Sequence, residues 1–520
     1  MTHLIFQIDE ILRPIAEYVG QVSRPAAVEF ARCCRAFEEP ALRPLWENTT
    51  LGNLMYVLPN DVLYFGNPGI CVVCLVYRCA LGRLNANVYT FQRISRQLTK
   101  TERGRLFRYA SWVKRITGFV SEDLVCFLRV LFGLPTDDPF QNLRELHGWI
   151  EPTLLHFLHH FVSPRLTVFS VYVDTDDRLG CSGYGSLTDA ISAIPGSSLR
   201  RFSLGEYEWE NASTKFKREV SAMVLRCGLA LNYLSAGVEL SEQAVLHVMQ
   251  LPHLHTLKLA HESPPDTTNL SLQDTIVFPS VRSLTLATPT THAWLPFLND
   301  LRWRHPTTTA TGGSDHSQVQ IGIHSTLEEL YCGFGEAPKR AIVKQALAFR
   351  NLTTLEVGQF CPGDRCSFDL TDNDVTAITK ALPQLRKLLL GHPCWLNACQ
   401  TTFRSLLTLS ANCVELMELI VHFNTIDIVD DVKSLLETED PDIRKLRDGP
   451  RCGVTSLPVF MTPLAVDKPD TDLLAKGFLF VFPALGKIPV GPSARGAASS
   501  GWLRVGTAIS RLKNPHDPEP

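Results

Sequence analysis

The sequence predicts an α/β solenoid, a ladder of parallel strands backed by helices, with a small all-α module in front of it. Three observations carry that reading. A hexad of the form L-x-x-L-x-L recurs from Leu143 to Leu416, the stretches between its copies show helical spacing, and the first fifty residues show helical spacing without the hexad.

Residues 1–50 read as a helical module. Ile8, Ile11, Leu12, Ile15 and, after a turn, Val19 form one apolar face, with Asp9 placed to cap its start and Gly20 to end it. Val28, Phe30 and Ala31 lead into Cys33 to Phe37, and the run Pro40 to Trp46 closes a three-helix unit. Residues 51–135 form a helical connector into the solenoid. Its last part, Ser121 to Gly133, places Leu124, Phe127, Leu128, Leu131 and Phe132 at helical spacing.

The repeats occupy 136–425. Clear copies of the hexad are Leu254-x-x-Leu257-x-Leu259, Val281-x-x-Leu284-x-Leu286, Leu352-x-x-Leu355-x-Val357, Leu385-x-x-Leu388-x-Leu390 and Leu416-x-x-Leu419-x-Val421. Weaker copies start at Leu143, Leu166, Leu199, Leu231, Leu327 and Leu485. The last two apolar positions alternate as in a half-buried strand, and the leading leucine turns into the core from the approach loop. One such unit cannot bury its own apolar face, so copies stack. This is the leucine-rich-repeat pattern. Ten starts from Leu143 to Leu416 lie 23 to 46 residues apart, so the array is irregular against the ~20–29 of regular repeats.

Two stretches show the whole unit. Leu240-Ser241-Glu242 leads through a helix to Leu251-Pro252, and Leu370-Thr371-Asp372 leads through one to Leu382-Pro383. Ser or Thr caps each helix, and proline stops it before the next strand. Between Leu286 and Leu327 a helix around His292 to Arg304 precedes a mobile loop near 305–318, rich in Thr and Gly. Residues 426–475 read as an insertion, acidic and then Pro-rich. Residues 476–520 read as a terminal repeat or cap, with a last strand over Phe478 to Val490 and a frayed tail from Asn514.

Composition narrows the function. Of 520 residues 45% are apolar and 20% charged, enough to build cores, and a net charge of −3 gives no basic surplus for nucleic acid. The longest greasy run, Ile70 to Leu81, is broken by Arg78 and falls short of the ~20 residues a membrane span needs, so no membrane partner is expected. Met1 to Glu10 has neither a basic leader nor a long apolar core. The fifteen cysteines, many of them inside apolar runs, suit a reducing compartment, cytoplasm or nucleus. Cys71, Cys74 and Cys79 are the nearest approach to a metal motif, but Val72, Val73, Leu75 and Val76 around them read as core, and Cys361/Cys366 and Cys394/Cys399 are read likewise.

No metal or other cofactor is expected, and no enzyme. The phosphate-binding, dinucleotide, zinc-protease and nucleophile-elbow motifs are absent from the sequence. The run Gly180 to Gly185 has the wrong order for a phosphate cradle. His156, His159 and His160 share a helical face by spacing alone, and Asn211-Ala-Ser213 is an idle glycosylation sequon. An enzyme hidden in 426–480 would need convergent polar groups in a pocket.

Strand geometry points side chains beside the fourth and sixth hexad positions away from the core. Those positions hold Trp149, Tyr172, Tyr233, Lys258, Tyr331, Glu356, Leu389, Ile420 and His422. Large aromatic and aliphatic groups there form a candidate surface for a protein substrate. The alternatives are that Thr307 to Ser317 or the C-terminal segment folds across the face and buries them, or that the register in the weaker repeats is off by one.

The N-terminal residues Asp9-Glu10-Ile11-Leu12, Arg32-Cys33-Cys34-Arg35-Ala36-Phe37 and Pro44-Leu45-Trp46-Glu47 resemble the F-box family, without that family's leading proline, near whose place Asp9 stands. With Leu54 to Pro59 and Tyr109 to Val113, the chain is similar to F-box proteins with irregular leucine-rich repeats, which are numerous in fungi. The resemblance implies that the first helices dock on a Skp-family adaptor, which joins the protein to a cullin–RING ubiquitin ligase of the SCF type, while the repeats select a protein substrate. It carries over an adaptor-facing role to Ile8, Ile11, Leu12, Ile15, Leu45 and Trp46. Two alternatives remain: these residues form only a helical cap, or the solenoid is an interaction scaffold or inhibitor with no ligase link.

Overall fold

The computed structural model of this protein describes residues 9–65, 91–120, 124–132, 138–173, 183–205, 213–260, 278–288, 326–334, 339–358, 370–390, 400–437, 441–458, 464, 468–489 and 497–514, apart from single positions 34, 56, 60 and 95. They belong to two compact units, Met1–Leu240 and Ser241–Pro520.

The first unit begins with three helices, α1 (Asp9–Val22), α2 (Arg24–Cys33) and α3 (Arg35–Glu47). Their shared core is made of small residues: Ala16, Ala31 and Ala41 are buried together, with Phe30 and Leu42 packed against them. Alanines let the helices approach closely. The Phe30 and Phe37 rings stack at 4.4 Å, which ties α2 to α3. Helix α1 runs through Gly20 to Val22 rather than stopping at the glycine. A mid-helix glycine costs only ~1 kcal/mol, and packing offsets it.

Strand β1 (Asn48–Thr49), the short helix α4 (Leu51–Met55) and an antiparallel pair, β2 (Leu63–Phe65) with β3 (Phe91–Ile94), follow. Thr99 and Glu102 then form a capping box that starts the helix Lys100–Trp112. From here strand and helix alternate: β4 (Arg115–Val120), β5 (Glu145–Ile150), β6 (Val168–Val173), β7 (Arg201–Leu204) and β8 (Tyr233–Ala236). They pair in parallel in the order β1-β4-β5-β6-β7-β8. Between β5 and β6 the chain forms a tight 3-10 helix, Pro152–Phe161, where helical spacing alone suggested an ordinary helix.

The second unit repeats the scheme with β9 (Thr256–Ala260), β10 (Ser283–Thr288), β11 (Glu329–Phe334), β12 (Thr354–Gly358), β13 (Lys387–Leu390) and β14 (Glu418–Val421), paired in parallel in chain order. Ser241 accepts the Ala244 N–H at 3.3 Å to cap the helix Glu242–Met249. Thr371 and Asp374 form a capping box on Asp372–Ala381. Both caps stand where the sequence marked them.

Register is set just before each strand. The Arg144 carbonyl accepts the N–H groups of Thr167 (2.7 Å) and Val168 (3.0 Å), and Thr167, Arg200, Arg282, Glu328, Thr353 and Arg386 each accept two N–H groups from the next repeat in the same way. The leading leucines Leu143, Leu166, Leu199, Leu231, Leu254, Leu327, Leu352, Leu385 and Leu416 are fully buried beside this carbonyl ladder. Burial fixes the depth of each turn and the carbonyls fix its pairing.

After β14 the chain is helical: Ile428–Glu437, Pro441–Asp448, Lys468–Val481 and Ala497–Lys513. The strand expected over Phe478 to Val490 is not formed. Residues up to Val481 are helix, and the parallel pairing is a single bridge between Ser456 and Lys487. Leu474, Phe478, Val481 and Phe482 are all buried at helical spacing, which defeats the strand alternation. The carbonyl ladder continues as Gly453 N–H to Leu416 (2.9 Å) and Gly486 N–H to Thr455 (2.8 Å), so Cys452 to Leu457 and Leu485 to Ile488 act as two further degenerate turns.

The loop near 305–318, the helix around His292, Cys71, Cys74, Cys79, the 361/366 and 394/399 cysteine pairs and Asn211 lie outside the described residues. Among the described residues, no helix is long and apolar enough to cross a membrane, and no group of His, Cys, Asp or Glu is arranged to hold a metal ion.

Candidate functional site

Three surfaces hold the residues that the sequence singled out. The first is the outer side of α1. Ile11 (41% exposed), Ile15 (45%), Tyr18 (69%) and Val22 (68%) lie at i, i+4, i+7 and i+11, which is one helical stripe. Ala16, on the other side, is fully buried. The module is thus packed on its alanines and presents Ile11, Ile15, Tyr18 and Val22 to solvent. Ile8 lies outside the described residues, as does the side chain of Leu12. Leu45 is half-buried. Trp46 is also half-buried, because its ring stacks on Tyr109 at 5.0 Å, and Tyr109 meets Trp112 edge-on at 5.1 Å. Trp46 therefore joins α3 to the helix Lys100–Trp112.

The second surface is the strand face of the first unit that turns away from the buried leucines. Parallel register lines its side chains up across strands. One row holds Arg115, Glu145, Val168, Arg201 and Tyr233. Arg115 Nε lies 2.5 Å from Glu145 Oε2, and the Arg201 guanidinium carbon lies over the Tyr233 ring, 3.8 Å from its centroid. The pairing with Arg115 holds the Glu145 carboxyl below its ordinary pKa. The next row holds His147, Ser170, Ser203 and Ser235, the serines nearly fully buried. His147 reaches Glu145 at 3.4 Å, and burial pushes its pKa down. The last row stacks Trp149 on Tyr172 at 5.1 Å. Gly205 lies under Tyr172: a Cβ there would meet the ring at 2.7 Å, so only glycine lets it settle. Trp149 is 42% exposed, while Tyr172 and Tyr233 are half-buried.

The third surface is the corresponding face of the second unit. Lys258, Thr285, Tyr331, Glu356, Leu389 and Ile420 stand in one row, each half-buried. Beside it Ser283, Glu329, Thr354, Lys387 and Glu418 form a second row, and Lys387 pairs with Glu418 at 3.2 Å. On the other side the positions are small: Ala260, Ala287, Gly333 and Gly358. The Tyr331 hydroxyl points to Glu329 Oε2 at 3.5 Å. Burial, followed by the charges of Glu329 and Glu356, raises its pKa to about 12. His422 follows β14 directly and is half-buried.

No family model and no curated protein matches this chain. Among solved structures it is similar to a leucine-rich-repeat protein of Leptospira interrogans, at 12% identity, over 66% of this chain and 91% of that one, with a TM-score of 0.22.

Tyr331, Glu356, Leu389 and Ile420 come together on adjacent strands, as do Trp149 and Tyr172. Several members of these surfaces were not singled out from sequence: Tyr18 and Val22, Glu145, His147 and Arg201, and Glu329. The i, i+4, i+7, i+11 spacing from Ile11 would have found the first two. The residue just before the fourth hexad position would have found Glu145, Arg201 and Glu329, since it shares a face with the residue just after that position.

Proposed function

We propose that this chain is a non-enzymatic recognition subunit whose α1–α3 module docks on a Skp-family adaptor of a cullin–RING ubiquitin ligase, and whose strand faces take a protein substrate. The observation that carries the adaptor half is the inverted packing of the module, with alanines inside and Ile11, Ile15, Tyr18 and Val22 outside. A contiguous apolar stripe on a helix is costly to leave in water and is the form in which helix-in-groove partners are met. The substrate half rests on half-buried aromatic and aliphatic groups in a row on strand faces, the residue types enriched at the centres of protein interfaces.

The test uses the full chain and a purified Skp-family adaptor. The double variant Ile11→Asp/Ile15→Asp is expected to weaken binding by at least ~2 kcal/mol, about thirtyfold, with an unchanged melting temperature because both side chains are exposed. Unaltered adaptor binding by that variant, or no binding by the native chain, overturns the ligase role.

The stack of Trp46 on Tyr109 favours a second reading, in which the three helices only cap the first unit. Under it Trp46→Ala lowers stability and no adaptor is captured, which leaves an interaction scaffold with no link to ubiquitin transfer.

A further inference from the structure

Glu329 precedes Tyr331 by two residues on β11, Glu356 stands opposite Tyr331 on β12, and all three are half-buried. Among the described residues neither carboxylate is paired with a cation: the nearby Lys387 is taken by Glu418, and Arg282 by Glu328. Two carboxylates near one aromatic ring on a half-buried face make it negative, and that charge is complementary to a cation. A guanidinium or ammonium group over the Tyr331 ring would meet the negative ring face and the Glu329 carboxylate, which lies 3.5 Å from the Tyr331 hydroxyl, with Glu356 adding negative charge from the neighbouring strand. In the same row, Leu389 and Ile420 follow Glu356 on the next two strands and offer an aliphatic surface. Strands lie ~4.8 Å apart and an extended chain advances ~3.3 Å per residue, so the two subsites are about two or three extended residues apart.

We infer that the strand face at Glu329, Tyr331, Glu356, Leu389 and Ile420 reads a basic residue and an aliphatic residue spaced two or three positions apart in an extended segment of a partner protein. This deepens the substrate half of the proposed function and does not depend on the adaptor half. The charge of the site sets the class of partner: an acidic or phosphorylated segment would be repelled by the same carboxylates.

The experiment selects phage-displayed random dodecapeptides on the full-length protein, and in parallel on Glu329→Gln/Glu356→Gln and on Ile11→Asp/Ile15→Asp. The native chain is expected to enrich Lys or Arg two or three positions from Leu, Ile, Val or Met. The α1 variant should enrich the same sequences, which separates this site from adaptor docking. The carboxamide variant should lose them, and a fluorescein-labelled copy of the leading peptide should bind it at least about tenfold more weakly, as expected when a charge-assisted contact becomes neutral. Glutamine preserves shape, and an unchanged melting temperature verifies the fold. Enrichment of acidic or purely apolar peptides, no enrichment, or equal enrichment by the carboxamide variant each overturns the proposal.

Discussion

His160 sits where an uncharged imidazole is preferred. Its ring stacks on Phe132 at 4.1 Å, next to His159 at 3.8 Å, and burial together with the charges of His159 and His156 lowers its pKa from 6.5 to about 4. A depressed folded-state value means that protonation favours the unfolded chain. The stabilisation from this residue is therefore complete above pH 6.5 and is lost as pH falls towards about 4. His160→Phe keeps a ring against Phe132 and cannot titrate. The denaturant midpoint of the variant is expected to fall less between pH 7 and pH 4 than that of the native protein, and equal falls would remove His160 from the account. Gly148 gives a second residue-scale expectation. A Cβ there would stand 2.2 Å from the carbonyl oxygen of Gly118, itself at φ +114°, so the β4–β5 pair closes only around two glycines. Gly148→Ala should cost ~1–3 kcal/mol or more, because the obstacle is backbone and cannot rotate away; urea unfolding measures it.

At the scale of elements, three successive helices of the second unit, Lys339–Ala346, Asp372–Ala381 and Phe403–Asn412, are tied to one another through side chains. Asp372, in the first turn of its own helix, accepts the Thr402 N–H and hydroxyl, both at 2.8 Å, and the Ser405 hydroxyl, so it serves the start of the next helix, Phe403–Asn412. Arg340, from the preceding helix, reaches Asp374 at 2.9 Å. Asp372→Ala is expected to cost ~1–2 kcal/mol, the upper range for a lost cap, and to raise hydrogen exchange in Phe403–Asn412 more than in Asp372–Ala381. The reverse order would make Asp372 a cap of its own helix only. These elements differ in how far sequence reveals them. Strands were legible because L-x-x-L-x-L leaves one set of side chains to bury, and Ser241 and Thr371 announce their helices by capping chemistry. The helix Lys468–Val481 was hidden because Phe478 to Phe482 is apolar at every position and supports either period. For the candidate sites, the sequence located Trp149, Tyr331 and Leu389 by alternation. It could not pair Trp149 with Tyr172 or Arg201 with Tyr233, since those contacts depend on register between repeats of unequal length. Nor could it say which side of α1 packs, because Ala16 takes the inner position that a hydrophobicity count gives to isoleucine.

At the scale of the whole molecule, a ladder in which each repeat touches chiefly its neighbours draws its stability from consecutive interfaces, and its last interface needs a cover. In the second unit that cover is the helix Ala497–Lys513. It inserts Trp502, 1% exposed, against Phe423 (6.1 Å) and Phe478 (5.9 Å), and Phe478 in turn meets Phe403 (5.2 Å). Gly501 allows the close approach: a Cβ there would fall 2.1 Å from the Leu464 carbonyl oxygen. Outside the cluster, Arg511 pairs with Asp472, but both are about half exposed, so little stability follows from that contact. The aromatic cluster carries the joint. Trp502→Ala is accordingly expected to cost about 3–5 kcal/mol, the range for truncating a fully buried large aromatic. Its effect should also be graded along the unit. Hydrogen exchange should rise most in Lys468–Val481 and β14, less in β12 and β13, and least in β9, at the far end of this ladder. Uniform loss of protection from β9 to β14 would show a single cooperative core in place of a nearest-neighbour array, and protection unchanged everywhere would show that the terminal helix covers nothing that matters to stability.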